Sequence, residues 1–149
     1  MKIKRFAAVA VLSTSLAVSV LTGCGNKDES LNEGAAYSEG YMEKRNEEGH
    51  TLARILNGNT DSYKITYNEK EGNIHLMPVG ESAALIKELI NYRDAASWAE
   101  INRALASLSE DVAEASEYNF GLSLLNPYKD TEYVIVNAFD GHILYFWMD

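Results

Sequence analysis

The sequence predicts an α+β domain: an antiparallel sheet of about five strands, in the order β-β-α-α-β-β-β, with a helical pair packed on one face. Three observations predict it. Residues 62–68 and 73–79 alternate apolar and polar side chains on either side of a Glu69-Lys70-Glu71-Gly72 turn. Two longer segments carry apolar residues at helical spacing. Asp140-Gly141 then separates two apolar runs, which is among the strongest short signals for a hairpin.

The elements follow in order. Leu52, Ile55 and Leu56 predict a short helix ended by Asn57-Gly58. Tyr63, Ile65 and Tyr67 share one face of the first strand, with Lys64 and Thr66 on the other. Ile74 and Leu76 do the same in the second, so the pair reads as a hairpin. Ser82–Arg93 places Leu85, Ile86, Leu89 and Ile90 along one helical stripe. Ser97-Trp98-Ala99-Glu100 has the form of a capping box, in which the Ser97 side chain accepts from a free main-chain N–H and Glu100 reaches back. The helix it opens, 98–117, carries Trp98, Ile101, Leu105, Leu108, Val112 and Ala115 at alternating steps of three and four. Phe120–Leu125 is a strand, 126–130 a loop, Glu132–Phe139 a strand and His142–Met148 the closing strand. The Asp140-Gly141 turn sets a register in which Phe139 faces His142, Asn137 faces Leu144 and Ile135 faces Phe146.

The first 23 residues stand apart from this domain. Lys2, Lys4 and Arg5 precede an uncharged run from Phe6 to Leu21. Its 16 residues are short of the roughly 20 a spanning helix needs and match a secretory signal peptide. The run ends in Leu21-Thr22-Gly23-Cys24, which resembles the lipobox of bacterial lipoproteins. The resemblance implies a diacylglycerol thioether on Cys24 and cleavage before it. It also implies export, with anchoring to the outer face of the cytoplasmic membrane, or to the outer membrane in a Gram-negative cell. Cys24 is the only cysteine, so no intramolecular disulfide competes for it. Residues 24–49 are polar and glycine-containing and read as an acidic flexible tether, with Tyr37, Tyr41 and Met42 able to form one turn that docks on the body. As a coil, its length corresponds to roughly 28 Å r.m.s.. The domain proper is expected over 50–149.

Charge narrows the partners. The chain has 13 basic and 22 acidic side chains, a net of −9. Loss of residues 1–23 removes Lys2, Lys4 and Arg5 and takes the net to −12. Nucleic-acid binding rests on Lys and Arg neutralising phosphates, so no nucleic-acid partner is expected. The membrane is reached through the lipid anchor, since an acidic body is repelled by anionic lipid.

Chemistry-bearing residues are few. His50, His75 and His142 lack metal-ligand spacing, and His75 and His142 read as surface residues. Glu110, Asp111, Glu114 and Glu117 cluster at the C-terminal end of a helix, which reads as a solvated face, with a cation site or a docking patch for a basic partner as the other readings. No hydrolase, nucleotide or metalloprotease motif occurs, and neither a catalytic residue, a metal nor a cofactor beyond the covalent lipid is expected. The last hairpin is apolar on both faces, and eight of the fourteen aromatics beyond residue 23 lie from Tyr118 onward. Either segment 37–56 covers the second face or that face binds a partner. Tyr133, Tyr145 and Trp147 are the candidate contact residues, since aromatics are enriched at interfaces.

From Ser97 to Asp149 the pattern of a Trp-initiated helix, an Asn-Pro after a strand and an Asp-Gly hairpin is similar to small lipoproteins of Gram-positive bacteria and their prophages. The expected function is a lipid-anchored, non-enzymatic binding module with an envelope protein as partner. The resemblance implies a superinfection-exclusion role as one alternative. A small-ligand or cation-binding accessory lipoprotein is the other.

Overall fold

The computed structural model describes residues 39–128 and 133–149. Cys24, the signal segment and residues 24–38 lie outside the described residues. The elements are α1 (Glu39–Gly58), β1 (Tyr63–Asn68), β2 (Asn73–Pro78), α2 (Gly80–Tyr92), α3 (Ala95–Ala115), β3 (Gly121–Leu125), β4 (Val134–Phe139) and β5 (His142–Phe146).

Among the described residues the architecture is α+β, with three helices packed against a five-strand sheet. The third helix is α1. It takes over the second half of the expected tether and absorbs the short helix expected after His50. Its sequence is polar on average, and the buried face has a glycine in its middle. Leu52, Ala53 and Leu56 are buried, and Gly49 lies against the ring of Tyr67, where a Cβ would overlap the ring carbons. Tyr41 meets Tyr118 edge-on at 5.2 Å, and the Tyr67 hydroxyl donates to Asn46 Oδ1 at 2.9 Å.

The strands lie side by side in chain order, β1 to β5. The sheet is mixed, not wholly antiparallel as the sequence suggests, because β2 and β3 run parallel. The reason lies in the connection. α2 and α3, joined through Arg93 and Asp94, return the chain to the end of the sheet where β2 began, as a parallel pair requires. Ile74, Leu76, Leu122, Leu124, Val136 and Ala138 then face the helices with no exposed surface. α1 covers β1, α2 meets β2, and α3 lies over β3, β4 and β5. Trp98 is fully buried, and its indole N–H donates to the Leu89 carbonyl at 3.1 Å.

Three local expectations shift. The cap of α3 is Asp94, not Ser97. Asp94 Oδ1 accepts from the Ser97 N–H, and the Ser97 hydroxyl donates to Asp94 Oδ2 at 2.9 Å. A carboxylate is the stronger acceptor for a helix N-terminus, so the helix starts at Ala95. In the last hairpin, Asp140 and Gly141 take positive φ of 45° and 81° and give the expected turn, with Phe139 facing His142. A bulge at Leu144 then moves the register by one, so Asn137 faces Tyr145 and Val136 faces Phe146. A second bulge makes Ile135 the extra residue of β4, and Ile135 joins the core.

Candidate functional site

The bulge at Leu144 separates two of the expected contact residues. Tyr145 turns to the face away from the helices and is 51% exposed on the edge strand β5. Trp147 lies just past β5 and is half-buried, its ring 6.0 Å from Trp98 and 6.4 Å from Phe146. Tyr133 is 58% exposed at the start of β4. It lies four residues from Asn137, the partner of Tyr145, so about 13 Å separates the two along the strand. The three do not form one aromatic platform. Nor do residues 39–56, the described part of segment 37–56, cover this hairpin. α1 lies at the β1 side of the sheet, and α3 covers β4 and β5.

Away from the helices, one polar row crosses all five strands. Thr66 faces His75, His75 faces Ser123, Ser123 faces Asn137, and Asn137 faces Tyr145. The Asn137 amide donates to Ser123 Oγ at 2.8 Å and to the Leu122 carbonyl at 3.3 Å, while the Asn73 amide reaches Ser123 Oγ at 3.5 Å. His75 is not a surface residue. It is 1% exposed, and its Nε2 lies 2.9 Å from Glu71 Oε2, which places the ring proton on that nitrogen when the imidazole is neutral. Serine, histidine and carboxylate thus converge, as a hydrolase needs. Ser123 has no exposed surface and is occupied as an acceptor, so as placed it presents no nucleophile to a substrate.

The other expected centres stay apart. His50 pairs with Glu69 at 3.2 Å on the surface, and His142 Nδ1 lies 2.8 Å from the Asp140 carbonyl oxygen. Glu110 lies against Gly141, whose N–H donates to Ser109 Oγ at 3.0 Å, so this end of α3 braces the hairpin turn. Among the described residues no three His, Cys, Asp or Glu side chains gather as a metal would require. No described helix is long and apolar enough to cross a membrane.

A different cluster forms where the end of α2, the β3–β4 loop and the C-terminal turn meet. Arg93 follows α2 with φ 51°, a left-handed helix end usually given to Gly or Asn. Its guanidinium lies over the Trp147 ring, 5.2 Å from the centroid. Lys87 Nζ lies over Tyr128 at the same distance. The Asn91 amide donates to the Tyr128 hydroxyl at 2.7 Å. Asn126 ties the loop together, its N–H donating to the Tyr133 carbonyl and its Oδ1 accepting from the Tyr128 N–H. Tyr92, the last residue of α2, is 75% exposed, and Tyr128 is 47% exposed. Among the described residues neither Lys87 nor Arg93 makes an ion pair, and the same holds for the other described Lys and Arg side chains.

No family model, curated protein or solved structure matches the chain.

This cap lies at one pole of the domain. β3 runs from Gly121, beside the β1–β2 turn, to Leu125, beside the cap. α1 begins at the other pole, where Tyr41 meets Tyr118 and Arg45 Nη2 donates to the Glu69 carbonyl at 2.9 Å. The start of α1 therefore lies at the pole opposite the cap. Sequence reasoning found Tyr133 and Trp147 but not Lys87, Tyr92, Arg93 or Tyr128. The available signal was Tyr92, which falls off the stripe of Leu85, Ile86, Leu89 and Ile90 and still is a large aromatic.

Proposed function

We propose that the chain is a lipid-anchored extracytoplasmic protein whose domain is a non-enzymatic binding module of the cell envelope. The observation that carries this reading is the cap of exposed tyrosines and ring-seated cations at the pole away from the N-terminal side of the domain. A lipid on Cys24 holds the opposite pole toward the membrane, and two acyl chains suffice for stable attachment. The cap then faces outward. Tyrosine gives large contact area at low entropic cost, and Arg held on a ring is pre-organised to donate, which is the composition of a recognition surface.

Two measurements test the reading. Cys24→Ser is expected to release the protein from the membrane fraction, and an unchanged membrane fraction overturns anchoring through Cys24. Because Cys24 is the only cysteine, Tyr92→Cys adds one reactive thiol to the lipidated protein. In protoplasts it is expected to react with a membrane-impermeant maleimide as fast as in detergent-released protein. Strong protection in protoplasts, with fast labelling of Glu43→Cys near the start of α1, overturns the outward orientation.

A further inference from the structure

We propose that Asn57 is a stop on the β1 edge of the sheet, which keeps that edge from pairing with the β5 edge of a second copy. β1 and β5 are the outer strands, so each has one side with no neighbouring strand. In an antiparallel pair, successive residues direct their main-chain groups alternately toward the partner and away from it. The Val79 N–H donates to the Ser62 carbonyl at 3.0 Å, so Ser62, Lys64 and Thr66 serve β2. Tyr63, Ile65 and Tyr67 then direct theirs to the open side. The middle one of these is taken. The Ile65 N–H donates to Asn57 Oδ1 at 2.9 Å, from a side chain at the end of α1. A helix side chain thus occupies the donor at the centre of the edge, where an added strand would place a carbonyl.

β5 has no such guard. Among the described residues no side chain accepts from a main-chain N–H of His142–Phe146. The chain carries no Asp, Glu, Lys or Arg from Gly141 to Met148, and Leu144 and Tyr145 are 63% and 51% exposed. The bulge at Leu144 interrupts the regular edge but puts neither a charge nor a proline on it. Two copies can join β5 to β5, a contact that closes at two, or β5 to β1, a contact that repeats and does not close. The repeating mode is open to this chain on the β5 side and shut on the β1 side. A second copy suits the shut edge because β1 has six residues and β5 five, and because an uncharged strand approaches an acidic chain without repulsion at the contact. Asn57 therefore acts as a contact within the chain that holds off growth of the sheet from copy to copy.

Sedimentation velocity of the full-length lipidated protein in detergent micelles, over a wide range of concentration, tests this. Asn57→Ala is expected to reach a weight-average mass at least about three times the monomer's, beyond a closed dimer, and to fall back on dilution. Its near-ultraviolet circular dichroism is expected to match the wild type, which itself stays at or below a dimer. Asn57→Asp keeps the acceptor oxygen and is expected to behave as the wild type. Leu144→Lys added to Asn57→Ala puts a charge on the exposed β5 edge and is expected to abolish the growth. Lys64→Ala leaves the Asn57 bond in place and is expected to change nothing. If Asn57→Ala does not fold, Asn57→Ser, whose oxygen is too short to reach Ile65, takes its place under the same expectations. Absence of growth in the folded variant overturns the proposal, as does growth of the wild type or equal growth in Asn57→Asp. Growth in Lys64→Ala moves the stop from Asn57 to the lysine charge, and growth that survives Leu144→Lys moves the contact away from β5, so each of these overturns it too.

Discussion

Asn137 and Ser123 face each other across β3 and β4, and the Asn137 amide donates to the Ser123 hydroxyl oxygen at 2.8 Å. The pair is the middle of the polar row that runs from Thr66 to Tyr145. Ser123 is fully buried, so the cost of losing this bond is set by the donor left behind. Asn137 keeps the Leu122 carbonyl at 3.3 Å as a second acceptor. Ser123→Ala is therefore expected to cost about 1–2 kcal/mol in urea unfolding, with a coupling of about 1 kcal/mol in a cycle with Asn137→Ala. A coupling near zero would show that the row is held by the strands alone.

Gly49 sits in the middle of α1 for a packing reason. Alanine has the better helix propensity by about 1 kcal/mol, so on a free helix Gly49→Ala stabilises. Here the added methyl meets the Tyr67 ring, which is itself fixed by Asn46 and packed edge-on against Phe120 at 5.5 Å. Gly49→Ala is expected to lower stability by about 1–3 kcal/mol. In Tyr67→Ala the same change is expected to reverse sign. Thermal unfolding of the four proteins of that cycle checks both statements.

Burial holds the Tyr63 phenol well above its ordinary value of 10.0, and it raises Tyr67 and Tyr118 as well. The folded state thus favours the protonated ring. Its contribution is complete below the unfolded value, about pH 10, and is lost as pH rises from there toward the folded value. Urea midpoints are expected to fall between about pH 9 and pH 11, and to fall less in Tyr63→Phe. Equal losses in the two proteins would sink the assignment to Tyr63.

What was legible in the sequence was what local pattern determines. The alternation of Tyr63, Ile65 and Tyr67 against Ile74 and Leu76 specified a hairpin because side-chain period and turn both act within a few residues. Asp140-Gly141 specified its turn for the same reason. The parallel β2–β3 pair depends on how α2 and α3 pack, which no strand sequence encodes. The bulge at Leu144 was hidden because an all-apolar run gives no polar residue to mark the slip, and it separated Tyr145 from Trp147. Alternation correctly placed His75 opposite Ile74, away from the helices, but that face is not simply surface. On the interior strand β2, between Thr66 and Ser123 and closed by Glu71, the outward side chain is buried too. The cap drew on α2, the β3–β4 loop and the C-terminal turn together, so only its members within the last hairpin stood out beforehand.

The parallel seam also orders the events of folding. β1 with β2, and β4 with β5, close across short turns, whereas β2 and β3 meet only after roughly forty residues have been looped between them. Closing a loop of that length costs about 3 kcal/mol of chain entropy before any contact forms. The seam returns that cost through Ile74, Leu76, Leu122 and Leu124, all without exposed surface, but only once α2 and α3 have condensed beneath them. Two hairpins thus form as separate local units. The join between them is the slow, non-local step that makes them one cooperative body.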